Sequence, residues 1–90
     1  MDRKQPLPEY LKQKRTQAGL TQAGVAEILG YSTAQFISNW ERGESVPPIS
    51  ILKALADLYK ISSEELFEHL VRDILETTEK DLVRKFREIK

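Results

Sequence analysis

The chain has 90 residues, no cysteine, and 14 basic side chains against 14 acidic ones. The length suits one small domain, the lack of cysteine excludes disulfides and thiolate metal sites, and no apolar run approaches the ~18 residues of a membrane span. A zero net charge excludes the strongly basic proteins that coat nucleic acid without sequence preference, because such binding is electrostatic.

The charges are unevenly distributed along the chain. Residues 1–43 hold six basic and four acidic side chains, whereas residues 44–90 hold eight and ten. The acidic excess therefore lies in the second half. Met1 is followed by charged residues rather than by an apolar segment, so we expect no signal peptide, no membrane partner and a cytoplasmic location.

The first two predicted helices are marked by the residues at their ends. Pro8 suits the first turn of a helix that runs to about Ala18. Thr21 is a good N-cap for a second helix, because its hydroxyl can accept a free backbone N–H. That helix carries apolar residues at the spacing of one helical face, namely Val25, Ile28 and Leu29. Gly30 stands where a left-handed C-cap is usual.

A third predicted helix, at about residues 33–41, has two chemically different sides. At ~100° per residue, its bulky apolar residues share one side: Phe36, Ile37 and Trp40. The other side carries Ala34, two amides, a hydroxyl and a cation: Gln35, Asn39, Ser38 and Arg42. Amides match the adjacent acceptor and donor of adenine in the major groove. Two helices joined at a glycine turn are typical of DNA-binding helix-turn-helix units, although the polar side alone would equally suit a solvated surface.

Two further helices follow a loop at residues 43–48. The first ends near Lys60 and carries an apolar series: Ile51, Leu52, Leu55, Leu58 and Tyr59. Ser62 and Glu65 form a capping box that opens the next helix. The apolar side of that helix is also long, with Leu66, Phe67, Leu70, Val71, Ile74 and Leu75.

Residues 71–90 form a helical extension for which the sequence allows two structures. The chain could break at Thr77 and Thr78, with Thr78 and Asp81 capping a separate last helix. Alternatively, one helix could continue with a coiled-coil-like seam that includes Leu82, Phe86 and Ile89. We expect this extension to form a homodimer; the alternative is that it folds back on its own domain.

Three segments together resemble a known family: LTQAGVAEILG, FISNWERGESVP and LKALADLYKIS. They resemble the Cro/phage-repressor type of helix-turn-helix, the XRE family, over about Leu11 to Phe67. The resemblance implies an all-α, five-helix repressor-like domain over residues 1–70, with its motif at about 21–42. The tail exceeds what that domain needs, so we expect an extra C-terminal helix beyond it.

The resemblance also implies a function. Family members mostly bind operator DNA as dimers, so we expect a sequence-specific DNA-binding transcriptional regulator of the repressor type. Its partner would be a palindromic double-stranded operator with half-sites about one helical turn apart. The alternative hypothesis is a protein-interaction helix-turn-helix module, antitoxin-like or accessory, which the acidic second half and the apolar tail favour.

The family pattern assigns a role to several side chains. Base edges are expected to be contacted by Gln35, Ser38 and Asn39. Phosphates, which position the protein rather than specify sequence, are expected to be contacted by Gln22, Thr33 and Arg42. Arg15 and Glu41 match a structural ion pair. Ten residues separate Gly30 from Glu41, where the family pattern has nine. Either Ser32 or Thr33 therefore caps the third predicted helix, which is the recognition helix of the family.

Enzymatic chemistry has little support in the sequence. No spacing of Ser, Thr and His suggests a nucleophile with its base, so we expect no catalytic residue and no cofactor. His69 lies four residues from both Glu65 and Asp73, a trio that could hold a metal. A lone His is far more often a surface residue, so no metal site is predicted.

Overall fold

The computed structural model describes residues 5–89, in which the regular structure is helical throughout. Five α-helices follow one another: α1 (Leu7–Gln17), α2 (Gln22–Leu29), α3 (Gln35–Glu41), α4 (Leu52–Tyr59) and α5 (Ser63–Glu88). A 3₁₀ turn, Ile49–Ile51, leads into α4. The all-α, five-helix prediction is confirmed. Residues 1–4, on which the signal-peptide expectation depends, and Lys90 lie outside the described range.

The predicted caps fix the ends of α2 and the start of α5. The Thr21 hydroxyl accepts a hydrogen bond from the backbone N–H of Gly24 at 2.9 Å. Gly30 ends α2 in the left-handed conformation, with φ of 87°, which costs a residue without Cβ little. The Ser62 hydroxyl accepts from the backbone N–H of Glu65 at 3.0 Å. Local sequence therefore sets these boundaries.

A core shared by all five helices lies between Leu7 and Leu70. Its buried apolar side chains are Leu7, Tyr10, Leu11, Val25, Ala26, Ile37, Trp40, Leu52, Leu55, Ala56, Tyr59, Leu66 and Leu70. Several residues predicted on apolar faces lie outside it: Ile28 is 59% and Phe36 51% exposed, and Phe67, Ile74 and Leu75 of α5 are exposed as well. In α2 and α3 the neighbouring helices cover the middle of the apolar arc, at Val25 and Trp40, and leave one edge open.

The third helix begins later than the sequence predicted. α3 starts at Gln35, with Ala34 as its N-cap, rather than at about residue 33. The connection from α2 is correspondingly longer and includes Tyr31, whose backbone N–H bonds the carbonyl of Ala26 at 2.9 Å. The aromatic ring of Tyr31 packs edge-on against Trp40, with centroids 6.0 Å apart, and so fills the angle between the two helices.

The C-terminal extension is part of α5 and not an extra helix. Neither Thr77 nor Thr78 breaks the helix, which is continuous over 26 residues and about 39 Å long. Beyond Leu70 its side chains are half-buried or exposed, so the extension does not fold back into the core. No helix in residues 5–89 combines the length and apolar character needed to cross a membrane.

Candidate nucleic-acid interface

α3 is held to the domain by one side and exposes the other. Ile37 is fully buried and Trp40 is 2% exposed, because both pack into the shared core. Gln35 and Arg42 are exposed, and Ser38 and Asn39 are half-buried on the same outer flank. The short helix therefore presents amide, hydroxyl and guanidinium groups outward from a fixed base.

The polar groups of this flank are connected to one another. The Gln35 side-chain amide donates to the Asn39 amide oxygen at 2.9 Å. The guanidinium of Arg42 donates to the same oxygen at 2.8 Å and to the Ser38 hydroxyl at 2.7 Å. The structure thus brings together the three predicted base-contacting residues and one predicted phosphate-contacting residue. These contacts limit the rotamers of the four side chains before any ligand binds.

Behind this flank, α3 is tied to α1 by a largely buried ion pair. Arg15 donates from Nε to one Glu41 oxygen at 2.7 Å and from Nη2 to the other at 3.1 Å. The side chains are 10% and 3% exposed. The hydrogen bond to Glu41 raises the pKa of Arg15, so this group stays charged. The remaining Nη1 donates to the carbonyl of Leu20 at 2.8 Å, which adds the chain just before α2 to the same junction.

Gln22 belongs to this junction as well. Its side-chain amide donates to a Glu41 oxygen at 2.9 Å, and the residue is half-buried. Its predicted role was a phosphate contact. In the free protein its first role is to fix the start of α2 against the end of α3, so the angle between the two helices depends on three polar side chains as well as on apolar packing.

Comparison with known families decides the class of this protein. A family model described as helix-turn-helix matches residues 11–66, which is more than half of the chain and runs from the second turn of α1 to the first turn of α5. The chain belongs to the Cro/C1-type helix-turn-helix family, the XRE family. It is accordingly a DNA-binding helix-turn-helix regulator. No relative among curated proteins matches it.

In this XRE-family protein, a threonine hydroxyl binds the backbone at the start of α3. The residue is Thr33. Its Oγ1 accepts a hydrogen bond from the backbone N–H of Gln35 at 3.2 Å. Neither of the two predicted caps, Ser32 or Thr33, is the N-cap of α3, which is Ala34 and has no side-chain cap hydrogen bond. Thr33 lies one residue before it. Thr33 is exposed, so its hydroxyl stands at the edge of the proposed DNA-facing surface.

One residue of the interface escaped the sequence analysis. Glu44, just after α3, pairs with Arg42 through distances of 3.3 Å to Nε and 3.2 Å to Nη2. Both side chains are at least half exposed, so the pair is weak and open to exchange. Glu44 therefore competes with a DNA phosphate for the guanidinium of Arg42. An acid two residues after a predicted phosphate contact is the signal that could have revealed it.

His69 is not the surface residue that the sequence predicted. It is buried, and its ring stacks on Tyr10 with centroids 3.7 Å apart. The Tyr10 hydroxyl donates to Glu65, so two of the three residues considered for a metal, His69 and Glu65, pack α1 against α5. Among residues 5–89, no three His, Cys, Asp or Glu side chains are grouped so as to share a metal ion.

Proposed function

We propose that this protein is a sequence-specific repressor that binds a palindromic operator as a homodimer. α3 would lie in the major groove, with Gln35, Ser38 and Asn39 at base edges. The observation that carries the proposal is the orientation of α3, which buries Ile37 and Trp40 and turns its amides outward. Amides in this position suit A·T pairs, because each can bond the adjacent donor and acceptor of adenine.

Phosphate contacts would flank this helix on both sides. Arg42 lies at its C-terminal end and Thr33 at its N-terminal end, while Gln22 opens α2. Since the chain is electrically neutral, non-specific attraction to DNA is expected to be weak. Affinity would depend on a fixed arrangement of a few contacts, doubled by the second subunit.

The proposed dimer is supported by an exposed apolar face on α5. Leu75, Leu82, Phe86 and Ile89 are between 62% and 76% exposed. Apolar side chains repeated along one side of a helix are typical of a helix that packs against another. A two-fold dimer would account for an operator whose half-sites are related by symmetry.

The first experiment is selection of binding sites from random duplexes with the full chain. We expect enrichment of a palindrome with A·T-containing half-sites. A salt titration on that duplex should show affinity falling steeply, since each phosphate contact releases counterions. Failure to enrich any sequence would contradict the proposal.

The repressor role needs its own test, because a bound dimer can either block or recruit a polymerase. We expect transcription in vitro to fall when the selected duplex overlaps a promoter, and to be unchanged when the site is scrambled. An increase in transcription would contradict repression and leave sequence-specific binding intact.

A protein-interaction role is the second candidate, favoured by the same exposed face of α5. In that case α5 would bind a different protein and the polar flank of α3 would have no DNA sequence preference. The site selection separates the two candidates, because only the first yields a palindrome.

A further inference from the structure

The exposed face of α5 is turned away from the domain that carries the helix. Successive residues of a helix point ~100° apart. The buried side chains Leu66, His69 and Leu70 therefore share one side of α5, and a second set of side chains lies about 180° away. That set, here called the seam, consists of Leu75, Leu82, Phe86 and Ile89, which fall within an arc of about 60°. A second helix could therefore lie along the whole seam without meeting the domain.

Three of the four seam residues are spaced symmetrically in sequence. Leu82 lies seven residues from both Leu75 and Ile89. If two copies of α5 ran in opposite directions with Leu82 against Leu82, each Leu75 would face the partner's Ile89. Three apolar pairs would then form along the contact, while each Phe86 would face the partner's Thr78.

The charges on α5 change sign along the same length. Residues 73–81 carry four acids (Asp73, Glu76, Glu79, Asp81) and one base (Lys80), whereas residues 82–88 carry three bases (Arg84, Lys85, Arg87) and one acid (Glu88). A parallel pair would set acid beside acid and base beside base, and like charges in such positions are destabilising. An antiparallel pair sets each acidic half beside a basic half.

We propose that two copies of this protein associate through α5 in antiparallel orientation, with Leu82 of each copy at the two-fold axis. Helical angles put Asp81 and Lys85 on the same side of the seam. A two-fold axis across antiparallel helices brings the same side of each helix together. Asp81 therefore lies beside the partner's Lys85. This inference rests on the proposed homodimer and specifies how it is built.

Cysteine cross-linking distinguishes the two orientations, and the natural chain has no cysteine to interfere. We expect Leu75→Cys mixed with Ile89→Cys to form a disulfide between the two variants under mild oxidation. Leu75→Cys alone should remain uncross-linked, because its two copies lie far from each other. Lys80→Cys, on the opposite side of the helix from the seam, is the matched control and should not cross-link in any mixture.

Charge reversal gives a second test that leaves the seam intact. We expect Asp81→Lys to raise the dissociation constant of the dimer several-fold, and Asp81→Lys with Lys85→Asp in the same chain to restore it. Sedimentation equilibrium of the full chain measures both. Asp81 and Lys85 are also neighbours within one helix, and Asp81 pairs with Arg84 of its own chain at 3.4 Å, so the separate Asp81→Lys and Lys85→Asp variants are mixed as a control. Contact across the dimer predicts that the mixture associates more tightly than either variant alone.

The outcomes separate this inference from the proposed function. Cross-linking of Leu75→Cys to itself would overturn the antiparallel arrangement and leave the dimer in place. A monomeric mass at all concentrations would overturn both the arrangement and the dimer, while selection of a DNA site would still report on α3. Cross-linking confined to the mixed variants, with recovery in the charge-swapped chain, supports the arrangement.

Discussion

At the scale of single residues, the Arg15–Glu41 pair is the contact on which the position of α3 most depends. The two side chains form a bidentate pair with little solvent around it. Charges removed from water need their partners, because an unpaired buried ion is far less stable than a paired one. The same carboxylate also accepts from Gln22, so its removal would leave two donors unsatisfied.

We therefore predict that Glu41→Ala lowers the free energy of unfolding by about 3–5 kcal/mol, measured by urea denaturation. That is a large part of the stability of a small domain. Glu44→Ala is the matched control, since its pair with Arg42 is exposed, and its effect should stay within about 1 kcal/mol. Equal effects of the two changes would contradict a structural role for the buried pair.

A second residue-scale prediction concerns Asp73 and pH. Partial burial raises the pKa of Asp73, and Glu76 raises it further against the opposing effect of Lys80. Its pKa is then higher in the folded than in the unfolded chain, so the folded state binds the proton more tightly. Ionisation of Asp73 therefore opposes folding above these pKa values, and the penalty disappears as the pH falls below both.

We expect Asp73→Asn to raise the melting temperature at neutral pH, with the gain shrinking to nothing by about pH 3. Thermal unfolding of the variant and the natural chain across this range measures the difference. Asp57→Asn, at an exposed residue of α4, controls for the general loss of a carboxylate. A gain that did not change with pH would show that the ionisation of Asp73 is not its cause.

At the scale of elements, the structure explains an unexpected glycine inside α2. A Cβ at Gly24 would lie 3.1 Å from the Thr21 hydroxyl oxygen, and that oxygen is held by its hydrogen bond to the backbone N–H of Gly24. A side chain at position 24 would therefore press on the N-cap. Glycine costs the helix ~1 kcal/mol relative to alanine, similar to the worth of a good cap.

A double-mutant cycle tests this explanation. We predict that Gly24→Ala stabilises the Thr21→Ala variant by ~1 kcal/mol, because no cap remains to be disturbed. In the natural chain the same change should have little effect or should destabilise, since the gain in helix propensity is offset by the crowded cap. The same stabilisation in both backgrounds, by chemical denaturation, would rule out coupling between the two positions.

The sequence predicts elements well where a local interaction decides them. Thr21, Gly30 and Ser62 mark helix ends by hydrogen bonds and backbone conformation that involve only near neighbours. It predicts less well where distant contacts decide. His69 is buried because Tyr10 of α1 stacks on it, and no pattern within α5 contains that information.

The site itself shows the same division. Helical periodicity places the amides of α3 opposite Ile37 and Trp40, and this holds in the structure. Periodicity also groups Phe36 with the buried side, yet Phe36 is half exposed because no neighbouring helix reaches that edge of the arc. The start of α3 at Gln35 could not be predicted from the sequence either, because the longer turn depends on the packing of Tyr31 against Phe36 and Trp40.

At the scale of the whole molecule, the domain and the extension have separate structural roles. The core ends at Leu70, and α5 continues beyond it as an exposed helix that gives the molecule an extent of 49 × 31 × 20 Å. The flank of α3 and the seam of α5 draw on different residues. Changes to the flank should therefore leave association intact, whereas loss of the seam should weaken operator binding without changing which base pairs each half-site prefers.

The most direct test of the proposed recognition is a binding profile for Gln35→Ala. Affinities would be measured at one salt concentration for the selected operator and for duplexes that each differ from it by one base pair. We expect a loss of ~1–3 kcal/mol on the operator and a loss of preference at one base pair of each half-site. Gln17→Ala, which removes an exposed amide of α1, should leave every preference unchanged. An equal loss for Gln35→Ala on all duplexes, or no loss on any, would contradict base recognition by this face of α3.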